Sequence, residues 1–332
     1  METRKAQLTG GSTFTVSLPK GWANSIDLET GDALRLFPRD RTLIIEPAEG
    51  NGEYWKTDVS VDQLSETEVR RTIQALYTAG FNHIKLTSST DLGDHRRVIS
   101  GTAREFIGLE TLESADTYVT LQSLLDSATV SIEQSTVQLQ QVALSMHEDA
   151  VTTLLNRDED LAEHVIERDN QVDRLYAMIS HHFQRSLVSL RETEALELDQ
   201  SELYDYQTTA RQLERVGDHA EKIADLATQF ENRPPKDFAE EIETAAVGSR
   251  EIVEQAASTI IGDADIETAY SALDNRDELT ADLEDLEREL HKRDIHESHL
   301  IALTLDSLTR TAEYGGNIAE TALQTAARDR EL

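Results

Sequence analysis

Cysteine is absent from the chain, which excludes disulfides, thiolate zinc sites and cysteine nucleophiles at once. Proline is scarce, at five residues: Pro19, Pro38, Pro47 and the pair Pro234-Pro235. Long stretches are therefore free of the residue that breaks helix interiors. Positive charge is scarce too, with 31 bases against 64 acids and a net charge of −33. Among the bases arginine outnumbers lysine 24 to 7. Such an excess of carboxylate destabilises a compact state unless salt screens it, to a Debye length of about 3 Å at 1 M. The acids are spread throughout, so the composition reads as halophilic rather than as an acidic tail. No apolar run approaches the roughly 18 residues of a membrane span, and no apolar segment follows the first five residues. A soluble, cytoplasmic protein with no membrane insertion is expected. There is no glycine-rich phosphate loop, and no serine/histidine/acid arrangement can be argued from spacing, so nothing suggests an enzyme.

What the chain does contain is a duplication. Leu213-Glu214-Arg215-Val216-Gly217-Asp218-His219 through Asp225 reappears as Leu308-Thr309-Arg310-Thr311-Ala312-Glu313-Tyr314 through Glu320. Upstream, Asp169-Asn170-Gln171-Val172-Asp173-Arg174-Leu175 lines up with Thr280-Ala281-Asp282-Leu283-Glu284-Asp285-Leu286. The first copy carries two acid-x3-acid pairs, Asp169/Asp173 and Glu214/Asp218. The second carries Thr280/Glu284 and Thr309/Glu313. Both pairs change alike, which implies a repeated helical unit with one carboxylate site intact and one degraded.

Four segments are expected. Residues 1–48 read as short strands and turns: Thr13 to Leu18 and Ala33 to Phe37 alternate, Leu43-Ile44-Ile45 is apolar, and Gly10-Gly11 and Gly31-Asp32 supply turns. A segment this small does not bury a core alone, so a homodimer is expected. Residues 53–120 alternate strand and helix as a small α/β domain, read as no more than a spacer or dimer contact. There Ser65 to Glu68 form a capping box, Val69, Ile73, Leu76 and Tyr77 an apolar helix face, Gly80 a stop, and Ile84 and Leu86 a strand. A second helix is expected from Asp94 to Ile107. From 121 onward the pattern reads as purely helical, with Leu121, Leu125, Ala128, Ile132, Leu139, Val142 and Met146 at helical spacings. Helices are expected at 121–155, 160–190, 202–231, 236–261, 263–293 and 297–328, with a polar segment at 191–201. The whole is mainly α: two up-down three-helix bundles, 121–233 and 236–328, behind a small α/β domain.

Acids at i and i+4 share a helix face, so two packed helices can aim four carboxylates at one point. Converging oxygens suit iron, manganese, magnesium or zinc. With a fifth of positions acidic, roughly a dozen such pairs arise by chance, and a single pair carries little. Two features add weight. Asp169 interrupts the apolar seam of Val165, Val172, Tyr176 and Ile179. Gly217 sits in mid-helix, at a cost of about 1 kcal/mol relative to alanine, which calls for close approach of a neighbour. His219 reads as a packed side chain rather than a ligand, and His181-His182 as facing solvent on at least one side.

Glu214-Arg215-Val216-Gly217-Asp218-His219-x3-Ile223-Ala224, with Val172-Asp173-x-Leu175 upstream, resembles the signature of the PhoU family of phosphate-uptake regulators, archaeal type, over about 120–328. The resemblance implies a cytoplasmic, generally negative regulator. It implies a possible multinuclear metal cluster on Asp169, Asp173, Glu214 and Asp218; Thr280 and Thr309 depart from the pattern. The N-terminal stretch resembles an AbrB-type (SpoVT/AbrB) domain through Arg4-Lys5-x-Gln7, Gly10 to Trp22 and Leu28-x-x-Gly31-Asp32-x-Leu34. That family forms swapped-hairpin dimers that bind DNA through basic residues, here Arg4, Lys5 and Lys20, a basic island in an acidic chain. Together the resemblances imply a phosphate-responsive, DNA-binding transcriptional regulator of phosphate homeostasis. The alternative they imply is an adaptor that contacts a phosphate transporter or signalling protein and only dimerises through its N-terminal part.

Overall fold

A computed structural model describes residues 2–39, 41–48 and 55–330, which fall into two units, Met1–Trp55 and Lys56–Leu332. Glu53, where the sequence opens its second domain, lies outside the described residues. In the first unit Gly10 and Gly11 turn the chain between β1 (Gln7–Thr9) and β2 (Thr13–Thr15), antiparallel with Leu8 opposite Phe14. The strand expected to reach Leu18 stops at Thr15, and Pro19 opens a short helix, α1 (Lys20–Ser25), that alternation in the sequence did not show. A second antiparallel pair, β3 (Leu34–Arg39) and β4 (Thr42–Pro47), sets Leu36 opposite Ile45. Phe37 is buried, but Leu8 is 60% and Phe14 76% exposed, and Leu36 and Leu43 are more than half exposed.

The second unit begins with a four-stranded sheet in the order β5-β6-β8-β7. Its strands are β5 (Lys56–Ser60), β6 (His83–Thr87), β7 (Leu109–Ser114) and β8 (Tyr118–Ser123), with helices α2 (Glu66–Thr78) and α3 (Asp94–Ala103) between them. Strands β5 and β6 are parallel, joined by α2; β6 and β7 each run antiparallel to β8. The capping box is fully formed: the Ser65 hydroxyl accepts from the Glu68 amide and the Glu68 carboxylate from the Ser65 amide. Val69, Ile73 and Tyr77 are buried as expected, and Gly80 ends the helix at φ 94°, a conformation glycine reaches without steric cost. Helix α3 is shorter than expected, closing at Ala103.

Helix does not begin at 121. Leu121 lies on β8, buried against the sheet, and α4 (Ile132–Asn156) starts after a 3-10 turn at Ser127–Thr129. Three successive residues of β8, Val119, Thr120 and Leu121, are buried, which blurs the two-residue alternation that marks a strand. The Leu121–Leu125–Ala128–Ile132 spacing is helical only by coincidence.

The remaining helices are α5 (Glu159–Ser186), α6 (Leu190–Leu196), α7 (Gln200–Gln229), α8 (Lys236–Ile261), α9 (Ile266–Leu290) and α10 (Ser298–Asp329). Helices α4, α5 and α7 pack mutually as one bundle, and α8, α9 and α10 as another. The two join mainly through α7 against α10, where Asn317 donates to Gln212 at 3.1 Å and Lys222 pairs with Asp306 at 3.1 Å. One apolar cluster runs through both bundles, from Ile132 to Ala322. The α/β layer has its own core, into which Ala177 of α5 inserts. Helix α6, inside the segment expected to be merely polar, buries Glu192 and Thr193. Among the described residues no helix is long and apolar enough to cross a membrane.

Candidate metal centre

Helices α5 and α7 are in close contact at Gly217. A Cβ there would stand 2.9 Å from Cγ1 of Val172, so the glycine is what lets this buried valine seat against α7. Val172 precedes Asp173 and Gly217 precedes Asp218, so the same contact brings the carboxylates together. Oxygens of Asp169, Asp173 and Asp218 all lie within 4.8 Å of one another. Ligands on opposite sides of a hard cation stand about 4–5 Å apart, given metal–oxygen distances of 2.0–2.6 Å. Glu214 is beside them but is not one of the converging three: its Oε1 accepts from Arg211 at 3.1 Å.

The electrostatics are those of carboxylates that Arg211 and Arg215 compensate only in part. Burial first, then Asp173, Glu221, Asp218 and Glu214, push Asp169 up to about 7. Burial and Asp218 push Glu214 up to about 7 against the pull of Arg211. Asp173 and Asp218 are exposed at the surface, and partial desolvation by their neighbours raises them as well. Asp169 Oδ1 and Glu214 Oε2 are buried without a hydrogen-bond partner, although such atoms are nearly always satisfied. An all-oxygen donor set with orphaned acceptors and raised proton affinities fits a hard or borderline cation.

The equivalent place in the second bundle is different. Thr280 donates to the Arg276 carbonyl at 2.8 Å and Thr309 to the Leu305 carbonyl at 3.0 Å, so both hydroxyls bond their own helices. Glu313 pairs with Arg310 at 2.6 Å, and Glu284 is exposed. Arg276 stands where the repeat puts Val165 in the first copy; its guanidinium lies over Gly316, the counterpart of Glu221, 3.6 Å from Glu320. Among the described residues, Asp169, Asp173 and Asp218 form the one converging group of three or more metal-ligating side chains.

His219 turns from the carboxylates toward α10, its Nε2 3.4 Å from the Tyr314 hydroxyl. His181 and His182 do not face solvent; each is 1% exposed. His181 stacks on Tyr77 and donates from Nδ1 to the Tyr77 carbonyl at 2.7 Å. His182 Nδ1 donates to Glu192 Oε1 at 2.6 Å, an oxygen that also accepts from Ser127; Glu192 Oε2 accepts from Arg185 at 3.0 Å. Burial raises Glu192, but the bonds from His182, Arg185 and Ser127 outweigh it and hold the carboxyl down at about 2. The burial of His181 and His182 depends on α2 and α6, which pack against α5 only in the folded chain and leave no mark on the local sequence. In the first unit Arg4 and Lys5 precede β1 and Lys20 opens α1; all three are exposed, with Arg4 paired to Glu2.

The fold and site define a tandem helical-bundle protein with a carboxylate centre in one bundle and a small strand-rich unit in front. Residues 136–227, covering most of the first bundle and all four candidate acids, match the family described as the PhoU domain. Residues 7–53 match the family described as antidote-toxin recognition MazE, bacterial antitoxin, an AbrB-like domain. Among solved structures the chain is similar to PhoU from Pseudomonas aeruginosa, at 22% identity and TM-score 0.50, over 59% of this chain and 96% of that one. It is also similar to the phosphate transport system regulatory protein PhoU from Streptococcus pneumoniae, at 19% identity and TM-score 0.48, over 58% and 91%. At 22% identity the likeness to the Pseudomonas aeruginosa protein concerns the fold alone. A comparison with curated proteins gave no match.

Proposed function

We propose that the protein is a non-enzymatic, phosphate-responsive regulator of phosphate uptake, acting at DNA through its N-terminal unit and reading phosphate status through its bundles. The PhoU-domain match at residues 136–227, coinciding with the carboxylate centre, is the observation that carries this reading. Asp169, Asp173 and Asp218 hold a metal ion there, with Glu214 alongside. When bound, the ion neutralises the cluster and fixes α5 against α7. The DNA half rests on the match at residues 7–53 and on the exposed Arg4, Lys5 and Lys20. Phosphate contacts from these cations release counterions, so each contact steepens the salt dependence by about 0.9 in log–log slope.

The test is recovery of genomic DNA on the full-length protein at molar salt, sequenced and compared with Arg4→Gln/Lys5→Gln/Lys20→Gln. Enriched promoters of phosphate-uptake genes, lost in the triple variant together with salt slope, are expected. Uniform recovery with no effect of the variant would favour the second reading, an adaptor docking on a phosphate transporter or signalling partner. That reading is favoured by the exposed apolar side chains of the first unit, Leu8, Phe14, Val16, Leu36 and Leu43, which suit dimerisation alone.

A further inference from the structure

The excess of acid is much weaker in the α/β layer than in the bundles behind it. Residues 124–332 carry 46 acids against 18 bases, whereas residues 56–123 carry 10 against 7. Three of those seven bases, Arg96, Arg97 and Arg104, line one open groove of about 440 Å³ along α3. Ser100 and Gly101 lie between them, Gly93 stands at the helix start, and Ser114 of β7 completes the lining. Among the described residues no carboxylate and no aromatic side chain lines it. Positions 97, 100, 101 and 104 follow helical spacing and share one face. Arg96 is held by Asp91 at 3.4 Å and Asp116 at 3.3 Å, yet its Nε is buried without a partner. Arg97 and Arg104 are exposed and, among the described residues, make no ion pair.

Gly101 answers to nothing in its own chain. Glycine weakens a helix interior relative to alanine, and at Gly217 the contact with Val172 accounts for it. A Cβ at Gly101 would meet nothing within 4 Å, so the room it leaves opens outward, where the helix can be approached closely. Spacing then chooses the ligand. Arg97 and Arg104 are seven residues apart, about 10 Å along the helix at 1.5 Å per residue, a span that suits a charged polymer better than a single small oxyanion. Duplex DNA carries one charge about every 1.7 Å of its axis. The lack of an aromatic side chain leaves no surface on which a free nucleotide or a single strand would stack. Arginines and serine hydroxyls are among the groups that meet phosphate oxygens.

We propose that this face of α3 contacts the phosphate backbone of duplex DNA. Arg97 and Arg104 pair with phosphates, Ser100 and Ser114 donate to the oxygens between them, and Gly101 lets the strand come close. A chain of net charge −33 is repelled by DNA over most of its surface, so contact is confined to places poor in acid. The contact reads no sequence; it adds affinity and fixes orientation. The α/β layer is then a second DNA-contacting element rather than a spacer. This inference deepens the DNA half of the function proposed above and rests on it.

The experiment is fluorescence anisotropy of a labelled mixed-sequence duplex titrated with full-length protein, between about 0.2 M and 1 M potassium chloride, where counterion release is read from the slope. Wild type is compared with Arg97→Gln/Arg104→Gln, with Arg4→Gln/Lys5→Gln/Lys20→Gln, and with Lys236→Gln/Arg288→Gln. The last removes two exposed bases of the second bundle and controls for net charge alone. Glutamine is close to arginine in helix propensity, so the groove variant should keep its fold, which circular dichroism checks. Its log–log salt slope should fall by about 1.8, two contacts at about 0.9 each, so its deficit against wild type should grow roughly twentyfold from the upper salt limit to the lower. The control should keep the wild-type slope. An unchanged slope in the groove variant overturns the inference; if the N-terminal variant is lowered at the same time, the DNA reading stands. Equal losses in the groove and control variants also overturn it, since net charge would then explain both. Wild type that binds no mixed-sequence duplex overturns it as well, and overturns the DNA reading too if no genomic DNA is recovered. A lower light-scattering mass for the groove variant, with DNA binding intact, would assign the groove to the acidic surface of a second copy instead.

Discussion

Gly217 is the residue on which the centre turns. Alanine in place of a helical glycine normally gains about 1 kcal/mol. At 217 its methyl would meet Val172, a stiff β-branched side chain with no exposed surface, and overpacking costs typically 1–3 kcal/mol. The clash outweighs the gain, so Gly217→Ala should lower the melting temperature and the metal content together. Gly248→Ala is the control: its nearest neighbour is Leu279 at 3.5 Å, an ordinary contact, so this variant should melt at or above wild type. Equal behaviour of the two would dismiss the close-approach argument. The acids themselves divide by repeat. Asp218→Ala should strip metal and Glu313→Ala should leave it, by elemental analysis after dialysis. A proton on Asp169 or Glu214 opposes the cation, and burial raises both groups to about 7. Metal affinity should therefore weaken as pH falls below about 7, and an affinity unchanged between pH 8 and pH 5 would contradict the assignment.

At the scale of elements, β1–β2 and β3–β4 are two ribbons with Leu8, Phe14, Leu36 and Leu43 turned to solvent. An isolated two-stranded ribbon is marginal in water, so these side chains are expected to be covered by a second copy. Phe14→Asp with Leu36→Asp in the full-length chain should shift light scattering from dimer to monomer. An unchanged mass would locate the contact elsewhere. The long elements were legible in the sequence because their periodicity persists over many turns. Helices α7 and α8 fall within two residues of expectation, and the Ser65 capping box is a local code read directly. What escaped notice depended on distant partners. Helix α6 looked like a loop because Glu192 and Thr193 are polar, and their burial is possible only because Ser127, His182 and Arg185 meet the carboxylate. The acids of the centre could be named from the duplication. That Glu214 would turn toward Arg211 instead of the aspartates could not, since an arginine one turn away is unremarkable on a helix surface.

At the scale of the whole molecule, the duplicated bundles have diverged: one keeps a charged centre, and the other fills the equivalent place with back-bonded threonines and Arg276. They nevertheless share one apolar core, in which Leu213 and Val216 of α7 belong with Leu308 and Ala312 of α10. A ligand that binds only the folded form stabilises it by mass action, about 2.7 kcal/mol at a hundred times its dissociation constant. Where two bundles share a core, they open as one cooperative unit. Metal held by α5 and α7 should then slow amide hydrogen exchange in α8 and α10, which contribute no ligand, and protection confined to α4–α7 would show that they open separately. In that economy the bundle without a centre acts as a thermodynamic reporter: occupancy on one side of the molecule is legible as rigidity on the other, with no atom needing to travel between them.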